Sequence, residues 1–132
     1  MEILDDLIIR FPHGLPGFQE ETSFVLLDLP NDSLFQVLQS TQKPELAFVI
    51  ANPYEFEKEY HLKLDQSIID LLNIESQKEV AVFGIVTVKE PFTSSTINLK
   101  APLIFNVKEK LAKQYILQND IYKTKTPITK GD

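Results

Sequence analysis

The sequence predicts a mainly β fold: a single-domain antiparallel β-barrel-like fold, in effect a bent sandwich, with one or two short helices. Three observations carry that prediction. Apolar residues fall in short runs separated by turn-forming Pro, Asn and Gly. Helix-start chemistry occurs only twice, at Asn52-Pro53-Tyr54-Glu55 and at Asp65. The octapeptide Phe11-Pro12-His13-Gly14-Leu15-Pro16-Gly17-Phe18 sets two prolines and two glycines between bulky apolar residues, which neither a helix nor a regular strand accommodates. Each Pro removes a backbone donor and biases its predecessor toward extended geometry, while glycine permits positive φ. This stretch therefore reads as a stiff corner between strands, with Phe11, Leu15 and Phe18 as apolar pegs.

Taken in order, Ile3-Leu4 and Leu7-Ile8-Ile9 lead into the corner, and Phe24-Val25-Leu26-Leu27 follows it up to the turn Pro30-Asn31-Asp32. Residues 34–39 and 46–50 are apolar on both faces, as in strands covered on each side, and Lys43-Pro44 turns between them. They form the expected central hairpin. Asn52 can cap free amides, Pro53 suits the first helical position and Glu55 completes a capping box, so a short helix is expected through about Glu59. Asp65 can cap a second helix, along which Ile68, Ile69, Leu71 and Leu72 make one apolar stripe, with Asn73 ending it. The run from Glu79 to Val88 is the longest expected strand, and Gly84 at its middle signals a bulge or a close approach of another backbone.

From Thr96 the alternation is regular. Thr96, Asn98 and Lys100 face one way, and Ile97, Leu99 and Ala101 the other. Leu103-Ile104-Phe105 continues this strand past Pro102, Tyr115-Ile116-Leu117 adds another, and Ile121-Tyr122 a short last one. No internal repeat or low-complexity segment is visible. Residues 1–132 read as one domain, with a C-terminal tail from about residue 123 expected to be flexible.

With 132 residues, 43% of them hydrophobic, the chain can bury a core without metal or crosslinks. The absence of Cys excludes disulfides, thiolate chemistry and Cys-based metal sites. The acidic start Met1-Glu2-Ile3-Leu4-Asp5-Asp6 is unlike a signal peptide, and no apolar run approaches the ~20 residues that cross a bilayer. A cytoplasmic protein with no membrane partner is expected. The net charge of −6 is unevenly spread: residues 1–99 carry sixteen acids against six bases, residues 100–132 three against seven. An acidic body disfavours direct nucleic-acid binding, which relies on Lys and Arg at phosphates, and suits a basic protein partner or simple solubility.

Catalytic raw material is scarce. His13 and His61 are the only histidines; Ser94 and Ser95 lack a nucleophile-elbow context, and no phosphate-binding Gly-rich loop is present. Glu57, His61 and Asp65, spaced four apart, would line one helical face and could ligate a metal, but Leu62-Lys63-Leu64 reads as extended connection and a solvated face accounts for the charges. No enzymatic activity, cofactor or metal is expected.

Three segments then carry a resemblance: Phe11 to Phe18; Val37-Leu38-Gln39-Ser40 continuing into Pro44-Glu45-Leu46-Ala47-Phe48-Val49 and Asn52-Pro53; and Val86-Thr87-Val88-Lys89-Glu90-Pro91 continuing into Asn98-Leu99-Lys100-Ala101-Pro102. In order and spacing the chain resembles the flagellar assembly factor FliW family over nearly its whole length. Residues 74–78 and the tail after Tyr122 have no counterpart in that pattern. The resemblance implies a small, non-enzymatic β-barrel-like protein that binds newly made flagellin in the cytoplasm. When flagellin is exported, such a protein binds and allosterically antagonises the translational regulator CsrA, relieving repression of flagellin translation. A monomer is expected.

Motif positions too polar or too exposed for a pure core role are the candidate partner contacts: Gln39, Glu45, Asn52, Tyr54, Phe56, Glu90, Phe92, Asn98 and Lys100. Each has a structural alternative; Asn52 could only cap a helix, Phe56 only plug a strand end, and Lys89-Glu90-Pro91 only shape a hairpin. Phe35 and Phe48 belong in the core. Two rival readings remain. One is a direct single-stranded RNA-binding barrel using Tyr115, Tyr122, Lys108, Lys110, Lys113, Lys123 and Lys125, and the other is a hydrolase with a deep pocket on the same scaffold.

Overall fold

The computed structural model describes residues 8–29 and 34–129. Nine strands follow in chain order: β1 (Ile8–Arg10), β2 (Ser23–Asp28), β3 (Phe35–Ser40), β4 (Ala47–Ala51), β5 (Val80–Thr87), β6 (Thr96–Ile97), β7 (Leu103–Asn106), β8 (Leu111–Gln114) and β9 (Thr126–Pro127). One helix, α1 (Gln66–Leu71), lies between β4 and β5. Seven strands close into a barrel in the order β4-β3-β2-β1-β8-β7-β5 and back to β4, while β6 and β9 extend outward from β5. The fold is mainly β and barrel-like, as the sequence predicts. Every pairing is antiparallel except β1 with β8, a parallel contact at Arg10 and Leu111.

Alternation along the strands sorts apolar side chains into an interior and an outer layer. Ile9, Phe24, Leu38, Ile50, Leu103 and Phe105 fill the barrel. Phe11 enters from the Pro/Gly corner, its ring edge-on to Phe24 at 5.4 Å and to Phe105 at 5.9 Å. The corner is built as its composition demands. Gly14 has φ +65 and Gly17 φ +84, and Leu15 bridges to Phe18. A Cβ at Gly14 would stand 2.5 Å from the backbone of Gln19, so the chain crosses itself there too tightly for any side chain. Phe18 leans edge-on against Phe48.

Outside the barrel, β4, β5 and β7 carry a second apolar layer. Tyr60, Leu99 and Leu117 pack with Ala51, Val86 and Ile97, and Ile68 of α1 and Leu72, which caps its end, pack on Ile104. These strands are therefore covered on both faces. The cover does not extend across β3, where Val37 is only half-buried; Phe35 and Phe48 are half-buried as well.

Several elements differ from expectation. The segment after Asn52 makes a single 3-10 turn, Pro53–Glu55, instead of a helix through Glu59, although Asn52 caps it as predicted by accepting from the Tyr54 amide at 2.9 Å. Gly84 marks close approach without a bulge: a Cβ there would meet the Ile97 side chain at 2.7 Å, and the β5 register runs unbroken. After Ile97 the backbone leaves the ladder because Asn98 Oδ1 accepts from the amides of Lys100 and Ala101, forming a turn. Ile97, Leu99 and Ala101 remain buried nonetheless. The strand expected at residues 115–117 falls earlier, at β8, and Tyr115 and Leu117 hang from the carbonyls of Pro102 and Lys100. Ile121 and Tyr122 form no strand. The tail from about residue 123, expected to be flexible, pairs through β9 with β6 and tucks Ile128 against the outer layer. Ile3-Leu4, Leu7 and the turn Pro30-Asn31-Asp32 lie outside the described residues. Among the described residues, no helix is long and apolar enough to cross a membrane.

Candidate protein-binding surface

Cross-strand register sets Leu27, Val37, Val49, Val86 and Ile97 side by side on the outward face of five strands. Burial rises along this row: Leu27 is 41% exposed, Val37 and Val49 are half-buried, and Ile97 is fully buried beneath the outer layer. Phe35, two residues from Val37 and on the same face, packs against Phe56 at 5.9 Å and receives the edge of Phe92 at 5.3 Å. Phe92 is 45% exposed. An apolar band thus emerges from the edge of the outer layer and runs uncovered toward β2, the kind of surface that marks association.

The layer beside this band is pinned by tyrosines. The Tyr60 hydroxyl donates to the Leu99 carbonyl at 2.7 Å, and its ring packs at a 55° tilt against Tyr122, 4.5 Å away. Burial, with Tyr122 and Tyr54 beside it, pushes the Tyr60 phenol well above its ordinary range. Tyr122 Oη accepts from the His61 amide at 2.7 Å and donates to the Glu59 carbonyl at 3.4 Å. Tyr115 donates to Asp65 Oδ2 at 3.2 Å, while Asp65 Oδ1 accepts from Ser67 Oγ and the Ile68 amide. Those donors, Ser67 first, hold the Asp65 carboxyl below its usual value.

The predicted contacts separate into four places. Gln39 and Glu45 stand at the β3–β4 turn; Gln39 Nε2 lies within 3.0–3.3 Å of the carbonyls of Ser40, Lys43, Pro44 and Leu46, and Glu45 is exposed. Asn52 and Tyr54 share the capped 3-10 turn and border a cleft of about 830 Å³. Phe56 and Phe92 meet on Phe35, with Glu90 exposed in the adjoining turn. Asn98 and Lys100 occupy the turn before β7, where Lys100 Nζ donates to the Asn119 carbonyl and pairs with Asp120, both at 2.9 Å. That ammonium lowers the Asp120 pKa. Leu27 and Val37 were not among the predicted contacts, since alternation within an all-apolar strand does not reveal which face is left open.

The corner contributes one further electrostatic feature. Glu21 is buried and pairs with Lys43 at 3.1 Å, raising the Lys43 pKa, while Glu21 Oε2 has no partner among the described residues.

Other chemistry finds little support in this geometry. Glu57, His61 and Asp65 share no helix, and among the described residues no group of three or more His, Asp or Glu is placed to hold a metal ion. The rings of Tyr115 and Tyr122 are half-buried against the outer layer, with their hydroxyls engaged by Asp65 and the His61 amide.

Comparison with known proteins agrees with the architecture. The FliW protein family matches residues 1–128. The chain is 53% identical over 121 residues to the flagellar assembly factor FliW of Oceanobacillus iheyensis, covering 92% of this chain and 82% of that protein. It is 46% identical over 128 residues to the FliW of Bacillus subtilis, covering 97% and 90%. A crystal structure of the flagellar assembly factor FliW superposes with a TM-score of 0.93 at 40% identity, covering all of this chain and 92% of that one. The chain belongs to the FliW family of flagellar assembly factors.

Proposed function

We propose that this protein works in the cytoplasm by binding flagellin before export. Once flagellin has left, it binds and allosterically antagonises the translational regulator CsrA, so that flagellin translation follows secretion. The observation that carries this reading is the apolar band running from Leu27 through Val37 to the Phe35–Phe92 pair on an otherwise acidic molecule. An amphipathic flagellin segment needs an apolar surface with a polar rim. A basic RNA-binding regulator is steered by the net charge of −6. Neither role needs catalysis.

Co-purification of the full chain with flagellin and with the regulator tests the reading, and failure to bind either ends it. Salt separates the two associations. Regulator binding should fall steeply from low to high ionic strength while flagellin binding persists. An equal salt response would remove the charge argument.

A further inference from the structure

β4 leaves the barrel early. Ala51 pairs with Gly84, but Pro53 has no amide to give the ladder and the chain turns away, so residues 80–83 of β5 have a free edge on that side. The cleft of about 830 Å³ follows this edge, and residues 61–64 line it as well. Small-molecule sites typically enclose about 300–1,000 Å³. Eight of the thirteen lining residues are apolar, and every one of the eight is half-buried. Alternate side chains of a strand point to opposite faces, and here both faces reach the cleft. Val80 and Val82 belong to the outer layer, whereas Ala81 and Phe83 pack on the barrel interior, where the Phe83 ring lies 4.9 Å from that of Phe105. The cleft is thus an opening in the barrel wall at which both apolar layers come to the surface.

Its charge is the reverse of its surroundings. Residues 53–79 carry seven acids against three lysines, yet no acid lines the cleft and Lys63 does. The neighbouring acids are turned to other donors: Asp65 to Ser67, the Ile68 amide and Tyr115, Asp70 to Gln66, and Glu79 to the Glu75 amide and Lys108. Lys63 Nζ has no ion-pair or hydrogen-bond partner among the described residues, and neither do the side chains of His61 and Gln77, which also line the cleft.

We propose that this cleft binds a small amphipathic carboxylate, an unbranched alkyl chain with one acid group, the chain lying along residues 80–83 and the carboxylate meeting Lys63. Completing the burial of the half-covered side chains supplies the affinity, and Lys63 chooses the charge. One ammonium matches one carboxylate, whereas a polyanion would meet the repulsion of a chain with net charge −6. A peptide strand fits poorly. The free edge is closed at one end by the Ala51–Gly84 pair and at the other by the turn Gln77–Glu79, whose Gln77 carbonyl takes the Val80 amide. Only Val82 is left with both peptide groups unpartnered among the described residues. This binding is separate from the association with flagellin and the regulator proposed above, and either can fail without the other.

The full-length protein, methyl-labelled, is titrated by NMR with hexanoate, octanoate and decanoate, and with octanol and octylamine at the same ionic strength. Saturable binding that shifts the methyl groups of Ile69, Ile74 and Val82 is expected, tightening about three- to fourfold with each added methylene. Octanoate should bind more tightly than octylamine. Lys63 is exposed, so Lys63→Met should leave the fold and octanol binding unchanged while weakening octanoate about threefold or more, and Lys63→Glu should invert the order of octanoate and octylamine. Shifts that never saturate, or that centre on Leu27 and Val37, overturn the proposal. So do affinities independent of chain length, and an octanoate affinity that Lys63→Met leaves unaltered. Tighter binding of the peptide acetyl-Glu-Val-Thr-Val-Glu-amide than of decanoate, with slowed exchange of the Val82 amide, overturns it in favour of strand addition. Occupation of the cleft in the free protein, seen as Overhauser contacts to these methyl groups from residues outside it, also overturns it. If independent of concentration, such contacts come from the chain itself; if dependent, from a second copy.

Discussion

Replacing Tyr60 by Phe removes one oxygen and leaves the packing of the outer layer in place. Tyr60 is 3% exposed, its ring lies 4.5 Å from Tyr122 and 5.6 Å from Tyr54, and its hydroxyl donates to the Leu99 carbonyl at 2.7 Å. That carbonyl has no other donor among the described residues, so Tyr60→Phe leaves a buried acceptor unmet at a cost of about 1–3 kcal/mol near pH 7. The pH dependence makes the prediction specific. Burial raises the folded-state pKa of Tyr60 well above 10.0, whereas the unfolded chain titrates near the ordinary value. A group raised on folding contributes stability that is complete below the unfolded pKa and is lost as pH climbs toward the folded one. With a limiting slope of about 1.4 kcal/mol per pH unit, the loss between pH 10 and 11 is about 1 kcal/mol. Tyr60→Phe has no proton to lose there, so the gap between the two proteins should narrow by that amount. Tyr115 and Lys43, also raised, cancel in the comparison. Urea unfolding followed by far-ultraviolet circular dichroism at pH 7, 10 and 11 measures it. A gap near zero at pH 7, or one that stays constant to pH 11, refutes the reasoning.

Three further outcomes follow from the packing. Gly14→Ala should cost about 2 kcal/mol or more, since it combines φ +65 with a Cβ 2.5 Å from the Gln19 backbone; Gly17→Ala, at φ +84 with nothing within 4 Å, should cost only about 1. Equal thermal midpoints for the two would contradict the crossing at Gly14. Asn106, fully buried, donates to the carbonyls of Leu72 and Asn73 and accepts from the amides of Lys108 and Glu109. Asn106→Asp turns a carboxylate onto two carbonyls and should lose about 2–4 kcal/mol at neutral pH. Because burial among acceptors raises that carboxyl, the deficit should shrink on acidification toward pH 4, as urea midpoints against the wild type will show. Phe92→Ala, at a half-exposed ring, should change the urea midpoint little while weakening flagellin or regulator binding in a titration; unaltered affinity for both removes Phe92 from the binding band.

The barrel was legible wherever local chemistry and pattern agreed. The Pro/Gly corner, the Asn52 and Asp65 caps and the alternation from Thr96 to Ala101 each follow from steric or hydrogen-bonding rules that act within a few residues. What stayed hidden depends on partners far along the chain. Residues 115–117 have strand-like composition, yet the β7 register pairs with Leu111–Gln114, because the Asn106-capped turn reverses the chain sooner than the apolar run suggests. The tail looked free because β9 is two residues long and its anchors are all distant in sequence: the pairing with β6, the Leu99 amide on the Lys123 carbonyl, the Thr129 hydroxyl on the Thr93 carbonyl, and Ile128 against the outer layer. The free edge of β5 was invisible as well. It exists only because Pro53 ends β4 opposite Gly84, a coincidence of register between segments thirty residues apart in the chain.

That division bears on where a partner can bind. Gln39, Asn52 and Asn98 all occur in the segments that carry the resemblance to the family, and each commits its side-chain amide to its own backbone: Gln39 Nε2, with two hydrogens, lies among four turn carbonyls, Asn52 accepts from the Tyr54 amide, and Asn98 from the amides of Lys100 and Ala101. A group already engaged this way gains little by exchanging its bonds for a partner's, since the net worth of one hydrogen bond is about 1 kcal/mol and the displaced turn would open. Under the proposed function, these side chains serve a partner more by holding the shape of the turns than by offering free amide groups. What remains exposed is apolar or charged: Leu27, Tyr54 and Phe92 on the band and cleft margin, Glu90 in the turn before Phe92, and Glu45 apart from them at the β3–β4 turn. Apolar centres with charged rims give association its strength and its salt sensitivity from different atoms. On the proposed function, flagellin would be drawn mainly by the apolar band and the basic regulator mainly by the acidic charge of the body.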